Sequence, residues 1–200
     1  MRIKINIKSI IIAVLVLLGL GYFYVAKVRP INFSPSVKNS EFTPVKGVLA
    51  AKFDYLSQNG NSSCSSSFQQ SIAKMPDEAR LQGSCCSPMS YHRYSEQVEG
   101  LKKYKDIPEI PKDPYDIEAK LAKNLMSHYE DEFTQNQQKA YDYAMEHSSE
   151  KGPCCCKCWR WFVYGGLGKI LIQTYGFTGE QVTDVWNLSD GCGGDNEHHH

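Results

Sequence analysis

The chain has 200 residues, 42% of them hydrophobic, and its 22 basic residues balance its 22 acidic residues. If a terminal anchor is set aside, about 130 to 170 residues remain, which is enough for one core. Charges of both signs are interspersed, so the sequence predicts no surface for nucleic acid. The 8 cysteines are too few for a small disulfide scaffold and lie in clusters, which favours a site over a structural framework.

The N-terminal segment predicts a membrane anchor. Residues 9–26 carry no charge and follow a basic stretch, and about 18 apolar residues cross most of a bilayer as a helix. Tyr22, Phe23 and Tyr24 are too bulky for the small-residue site of a removable signal peptide. We therefore predict an uncleaved signal anchor, with cleavage after Ala26 as the alternative. Residues 1–8 would form a short cytoplasmic segment, and the rest would lie on the extracytoplasmic side of the cell membrane as a single-pass protein.

The remaining chain divides into three parts. Residues 27–66 are predicted to form an extended stalk and a loop, because prolines and small polar residues dominate there. Cys64 lies in the serine-rich loop. Residues 67–194 form the predicted cysteine-rich domain. Residues 195–200 form a polar tail whose histidines are either native or part of a purification tag.

Periodicity and capping signals predict a mainly α domain, a small helical bundle, with no strand after the first 60 residues. Helices are expected at residues 67–74 and 89–104, and a proline-rich extended connector at 107–114. Asp113 and Pro114 resemble the start of a helix whose apolar stripe includes Ile117 and Leu125.

The second half of the domain predicts three further helices. Thr134 begins a capping box, and its helix is expected to pack antiparallel to the preceding one. Residues 159–177 are strongly apolar and predict a buried central helix whose glycines allow close packing. A second membrane span is the alternative, although Arg160 and Lys169 argue against it. Thr178 caps the last predicted helix, which leads to Cys192.

Four cysteines fall within five residues after Gly152 and Pro153. If a helix begins at Pro153, then Cys154, Cys155 and Cys158 share one face and Cys156 points elsewhere. A second pair, Cys85 and Cys86, lies in a turn, with Met89 and His92 nearby as a further thioether and imidazole. Thiolates are soft ligands that suit copper(I) or zinc and not calcium or magnesium. An iron–sulfur cluster is a less favoured possibility. The predicted metal ligands are Cys85, Cys86, Cys154, Cys155, Cys156, Cys158 and Cys192.

Two other functions are compatible with these cysteines. Cys155 and Cys158 form a C-x-x-C pair that could exchange disulfides, although the helices predicted around it do not suit a thioredoxin fold. Oxidation in an extracytoplasmic compartment could instead produce a disulfide-stapled interaction domain. No catalytic triad, phosphate-binding loop or carboxylate pair is evident, so the sequence predicts metal binding, sensing or transfer and not catalysis.

The motif Pro153-Cys154-Cys155-Cys156-Lys157-Cys158 resembles the Pro-Cys-x-Cys-x-Cys signature of small exported bacterial lipoproteins named for their PCYCGC motif. The match is at Pro153, Cys154, Cys156 and Cys158. The chain differs in having Cys155 and Lys157 in place of Tyr and Gly, and no lipobox cysteine follows the apolar segment. The resemblance implies an extracytoplasmic cysteine site and specifies no reaction.

Overall fold

A computed structural model describes residues 44–194 of the protein. The predicted anchor, the first part of the stalk and the polar tail lie outside the described residues. The α-helices are α1 (Pro44–Gln58), α2 (Ser66–Ile72), α3 (Tyr91–Leu101), α4 (Ala119–Ser127), α5 (Gln135–His147), α6 (Trp159–Tyr175) and α7 (Gly179–Ser189). A 3-10 turn spans Lys102–Tyr104, and the strands are β1 (Arg80–Gln82) and β2 (Asp116–Glu118). The predicted mainly α fold is confirmed. No helix within residues 44–194 is long and apolar enough to span a membrane.

Helix α6 is the central element of the fold, as the sequence predicts. Most of its residues are buried, and its apolar character on all sides is typical of a helix enclosed by neighbours. Gly166 lets it approach α4, since a Cβ there would lie 1.8 Å from the backbone oxygen of Leu125. The helix ends at Gly176, which adopts the left-handed conformation with φ 67°.

The other helices surround α6. Helix α4 packs against α6, whereas α5 packs mainly against α7, which also contacts α3. The predicted antiparallel packing of α4 on α5 is therefore wrong, because each has a different principal partner. The capping boxes at Thr134 and Thr178 are both present and fix the starts of α5 and α7.

The two short strands were not predicted. They pair antiparallel, with Leu81 opposite Ile117, and both side chains are fully buried. The sequence assigned Ile117 to a helix starting at Pro114, but α4 begins only at Ala119. Asp113 instead accepts a hydrogen bond from the backbone N–H of Tyr115 at 2.9 Å, which forms a turn. The burial of Ile117 against Leu81 favours a strand at this position, although the periodicity of the sequence favours a helix.

Two further segments differ from their predictions. Helix α1 occupies residues that were expected to form part of the extended stalk and loop at 27–66. It belongs to the packed structure, because Leu56 is buried with Tyr94 and Tyr115 in a second apolar cluster. The proline-rich connector at residues 107–114 has no regular structure, but it is not confined to the surface, since Ile110 is 4% exposed.

The close approach of α6 to α4 predicts that Gly166→Ala destabilises the protein. The added methyl group would collide with the Leu125 carbonyl group, which is backbone and cannot rotate away. We expect a loss of about 2 to 4 kcal/mol in the free energy of unfolding, measured by urea denaturation. The matched control is Gly100→Ala in α3, where the methyl group meets only the flexible Leu188 side chain. An equal effect of the two substitutions would contradict this interpretation.

The hydrogen bonds to the Asp116 carboxylate predict a contribution to the free energy of unfolding that is lost in acid. Burial raises the pKa of Asp116, but hydrogen bonds from Arg80, Lys52 and Gln82 outweigh it, so its pKa is lowered overall. A lowered pKa in the folded state stabilises the protein above the unfolded pKa of about 4, and this contribution is lost as the pH falls through the folded pKa. We expect Asp116→Asn to cost about 1 to 3 kcal/mol at neutral pH. In urea denaturation the difference should narrow progressively below about pH 4; a difference independent of pH would contradict this assignment.

Candidate metal centre

The cysteine-rich segment between α5 and α6 is irregular, which corrects the predicted helix start at Pro153. Cys158 is the N-cap of α6, and the residues before it turn back on themselves. Gly152 adopts φ +153°, and the ring of Trp161 occupies the space where its side chain would be. The hydroxyl group of Ser148 accepts a hydrogen bond from the Gly152 N–H at 2.8 Å. The segment is thus folded by these local contacts and not by helical hydrogen bonds.

The other cysteines come from three separate loops. Cys64 precedes α2, and Cys85 and Cys86 follow β1. Cys192 follows α7, and its carbonyl oxygen accepts hydrogen bonds from the N–H groups of Cys86 at 3.2 Å and Ser87 at 2.8 Å. These backbone bonds join the C-terminal loop to the Cys85–86 turn.

The sulfur atoms of all eight cysteines converge. The Sγ–Sγ distance is 3.9 Å between Cys154 and Cys158, and 3.2 Å between Cys154 and Cys192. Cys86 lies 3.9 Å from Cys85 and 4.0 Å from Cys156. Sulfur ligands of one tetrahedral ion with metal–sulfur bonds of about 2.3 Å lie about 3.8 Å apart. Three of these four spacings suit ligands that share an ion, whereas the distance between Cys154 and Cys192 is shorter than such ligands require.

Two further sulfur pairs are closer still. Cys64 and Cys86 lie 2.8 Å apart, and Cys155 and Cys192 lie 3.0 Å apart. Both distances exceed the disulfide bond length of about 2.05 Å, and all eight cysteines are free. These pairs would have to separate by nearly 1 Å to bind a metal ion together.

Groups of three sulfurs make up the cluster. In each trio the sulfur atoms all lie within 4.8 Å of one another. The five trios are Cys64–Cys86–Cys156, Cys64–Cys85–Cys158, Cys85–Cys86–Cys192, Cys154–Cys155–Cys192 and Cys154–Cys156–Cys158. The structure thus brings together all seven of the predicted ligands, whose role as ligands stays a prediction.

The cluster differs from the sequence expectation in two residues. Cys156, which was expected to point away, belongs to two trios, because the segment is not helical there. Cys64, which was assigned to an exposed loop and not to the site, also belongs to two trios. One sequence signal could have indicated Cys64: it was the one cysteine of the eight that had not been assigned to the site.

Exposure varies across the sulfur cluster. The side chains of Cys154, Cys158 and Cys192 are buried, those of Cys64, Cys85 and Cys156 are half-buried, and those of Cys86 and Cys155 are exposed. The cluster therefore has an inner end, enclosed by the core, and an outer rim that solvent and small molecules can reach.

A buried cation lies beside the inner end. Arg160 is fully buried, and its guanidinium group donates hydrogen bonds to the carbonyl oxygens of Pro114 at 2.5 Å and Gly83 at 2.9 Å. Its Nε is buried without a hydrogen-bond partner among the described residues. Burial lowers the pKa of Arg160, but attraction to Tyr164 and to the cysteines Cys85, Cys192 and Cys154 raises it overall. A buried charge is costly unless an opposite charge lies nearby, and the sulfur atoms can supply it as thiolates.

The sulfur atoms also polarise one another. Hydrogen bonds from the thiols of Cys154 and Cys85 lower the pKa of Cys158 well below the ordinary value for a thiol. Hydrogen bonds from Cys154, Cys155 and Cys85 likewise lower the pKa of Cys192, with a further contribution from the charge of Arg160. The donors Cys154 and Cys85 have raised pKa values for the same reason. The thiolate form, which is the metal ligand and the nucleophile, is thus favoured at Cys158 and Cys192.

The other side chains considered from the sequence lie elsewhere. His92 is highly exposed and lies 3.2 Å from Glu96, and Met89 packs in the second apolar cluster. Of the C-x-x-C pair, Cys155 contacts Cys192 and Cys158 contacts Cys154, so each sulfur has a different partner. Every trio consists of cysteines alone.

A search of family models, curated proteins and solved structures finds no match to this chain.

The attachment of the Cys192 loop predicts the effect of Gly193→Ala. Gly193 has φ +83°, and a Cβ there would lie 2.1 Å from the carbonyl oxygen of Ser87. The substitution should displace the loop and expose Cys192, so that its alkylation by iodoacetamide in the metal-free, reduced chain accelerates by about tenfold or more. Peptide mass spectrometry would measure the rate, with Gly176→Ala as a control, since Gly176 also has a positive φ, of +67°, and a Cβ there meets no steric clash. An unchanged rate at Cys192 would contradict this role of Gly193.

Proposed function

We propose that this chain is a membrane-anchored extracytoplasmic protein that binds a soft metal ion, copper or zinc, through cysteine thiolates, in order to store, sense or transfer it. The observation that carries the proposal is the convergence of eight free thiols from four separate chain segments, in trios whose sulfur atoms lie within 4.8 Å of one another. Hydrophobic packing alone does not require this arrangement, since any small apolar side chain would fill the same space.

The chemistry of the ligands limits the choice of metal. Soft thiolate sulfur binds copper(I) and zinc strongly, whereas magnesium and calcium require oxygen. A [4Fe–4S] cluster fits less well, because each of its irons takes a single cysteine, which holds the cysteine sulfurs farther apart than the 3.9 Å found here between Cys154 and Cys158. The positive charge of Arg160 would offset part of the negative charge of a metal–thiolate complex.

The proposed location rests on the sequence. The apolar segment at residues 9–26 and the resemblance to the PCYCGC-motif lipoproteins at Pro153–Cys158 support a tethered extracytoplasmic domain. The exposed rim at Cys86 and Cys155 suits the exchange of metal with a partner, because an incoming ligand could displace these sulfurs first.

Thiol–disulfide exchange is the second candidate function, and one distance favours it. The sulfur atoms of Cys64 and Cys86 lie 2.8 Å apart, closer than any other pair described above, and both residues are accessible. A redox enzyme of this kind would use Cys64 and Cys86 instead of the C-x-x-C pair.

Substitution of the inner cysteines tests the metal-binding proposal. We expect Cys154→Ser and Cys158→Ser each to reduce the metal content of the full-length protein, purified without oxygen, by at least half, because serine oxygen is a poor ligand for soft ions. Elemental analysis would measure the metal-to-protein ratio.

Gly166→Ala is the control for that experiment, since it destabilises the core and leaves all eight thiols in place. It should retain the metal content of the unmodified protein. If both serine variants also retain the full metal content, the proposed function is wrong. If the unmodified protein holds no metal and Cys86→Ser abolishes disulfide exchange, the redox function replaces it.

A further inference from the structure

The five trios of sulfur atoms overlap in a regular way. Seven of the eight cysteines belong to two trios each, and Cys155 belongs to one. Any two trios share at most one sulfur. Five ions, one in each trio, would therefore be joined through single bridging sulfurs, and no pair of ions would be forced together by sharing two ligands.

The number of sulfur atoms in each trio helps to identify the metal that the cluster would bind. Zinc in structural sites takes four ligands in a tetrahedron. Ligand atoms of cysteine, histidine, aspartate and glutamate were compared among residues 44–194. The sets whose atoms all lie within 4.8 Å of one another contain three members and not four. Copper(I) is soft, carries a single charge and accepts three thiolates in a plane. In a plane with metal–sulfur bonds of about 2.3 Å, the sulfurs lie about 4.0 Å apart.

One trio shows how closely the geometry matches. Cys86 and Cys156 are separated by 4.0 Å, and Cys156 and Cys64 by 3.7 Å. The third side, between Cys64 and Cys86, is 2.8 Å and must lengthen. Cys64 lies in a loop and is half-buried, and Cys86 is exposed, so this change in distance falls outside the buried inner end of the cluster.

We propose that the cysteine cluster is a polynuclear copper(I) site that takes up to five copper(I) ions, each bound by three thiolates, with seven of the eight sulfurs bridging two ions. This inference rests on the proposed function, since it specifies the metal and the number of ions for the same site. A protein of this kind stores or buffers copper(I), because one domain holds several ions in a form that solvent reaches only at the rim.

The charge balance of the loaded site is consistent with its surroundings. With all eight sulfurs present as thiolates and five singly charged copper(I) ions bound, the cluster carries three negative charges. Copper enters and leaves as copper(I), so no electron is transferred. Arg160, fully buried beside Cys85, Cys154 and Cys192, offsets one of these charges, and water at the rim solvates the rest.

Anaerobic titration of the reduced full-length protein with copper(I), followed by native mass spectrometry, tests the proposal. We expect saturation at five copper(I) ions per chain and copper–copper scattering in the X-ray absorption spectrum of the loaded protein. A parallel titration with zinc should reach a lower number of ions, because the trios lack a fourth sulfur.

Two exposed cysteines provide matched variants. Cys86 and Cys155 are both exposed, and each is next to another cysteine in the sequence, so replacing either by serine should leave the fold intact. Cys155 belongs to one trio and Cys86 to two. We therefore expect Cys155→Ser to bind four copper(I) ions and Cys86→Ser to bind three, and circular dichroism would show that both variants fold.

The possible results separate this inference from the proposed function. A maximum of one copper(I) ion, or equal losses in the two variants, would overturn the polynuclear site while leaving soft-metal binding in place. Tighter binding of zinc than of copper(I), without copper–copper scattering, would do the same. Failure to bind either metal would overturn both.

Discussion

The guanidinium group of Arg160 connects the parts of the structure that form the cysteine cluster. It extends from the first turn of α6, shortly after Cys158, and donates hydrogen bonds to the carbonyl oxygens of Gly83 and Pro114. Gly191 lies directly against it, since a Cβ there would be 2.2 Å from Arg160 Nη1. One buried side chain thus positions the segments that carry Cys85, Cys158 and Cys192. It also places a fixed positive charge where the thiolates meet, so the same interaction supports the fold and the chemistry of the site.

Much of the fold follows from local sequence signals. The capping boxes at Thr134 and Thr178 and the apolar central helix that ends at Gly176 were predictable, because each depends on residues within a few positions of one another. The strands at residues 80–82 and 116–118 were not, since Ile117 is drawn into a pairing with Leu81 by contacts distant in sequence. Helix α1 was missed because the prolines before it indicated an extended stalk.

The site was predictable in its composition and not in its geometry. Clustering identified seven of the cysteines, because soft ligands rarely gather without a chemical reason. The sequence could not show that Cys64 contacts Cys86, because the two cysteines lie in separate loops. It also placed Cys156 outside the cluster by assuming a helix that Gly152 and the turns after it prevent. Convergence of loops depends on backbone contacts such as those between Ser87 and Cys192, which leave no periodic pattern in the sequence.

The most direct test of the central claim is the mass of the full-length protein, purified without oxygen, measured under native conditions before and after chelation with thiols counted at each stage. If the cysteines are metal ligands, the mass exceeds that of the chain, and the thiols become reactive only when the chelator removes the excess. A protein without metal, lighter than the reduced chain by about two hydrogens for each bridge, would show that the cysteines form disulfides and would contradict the account.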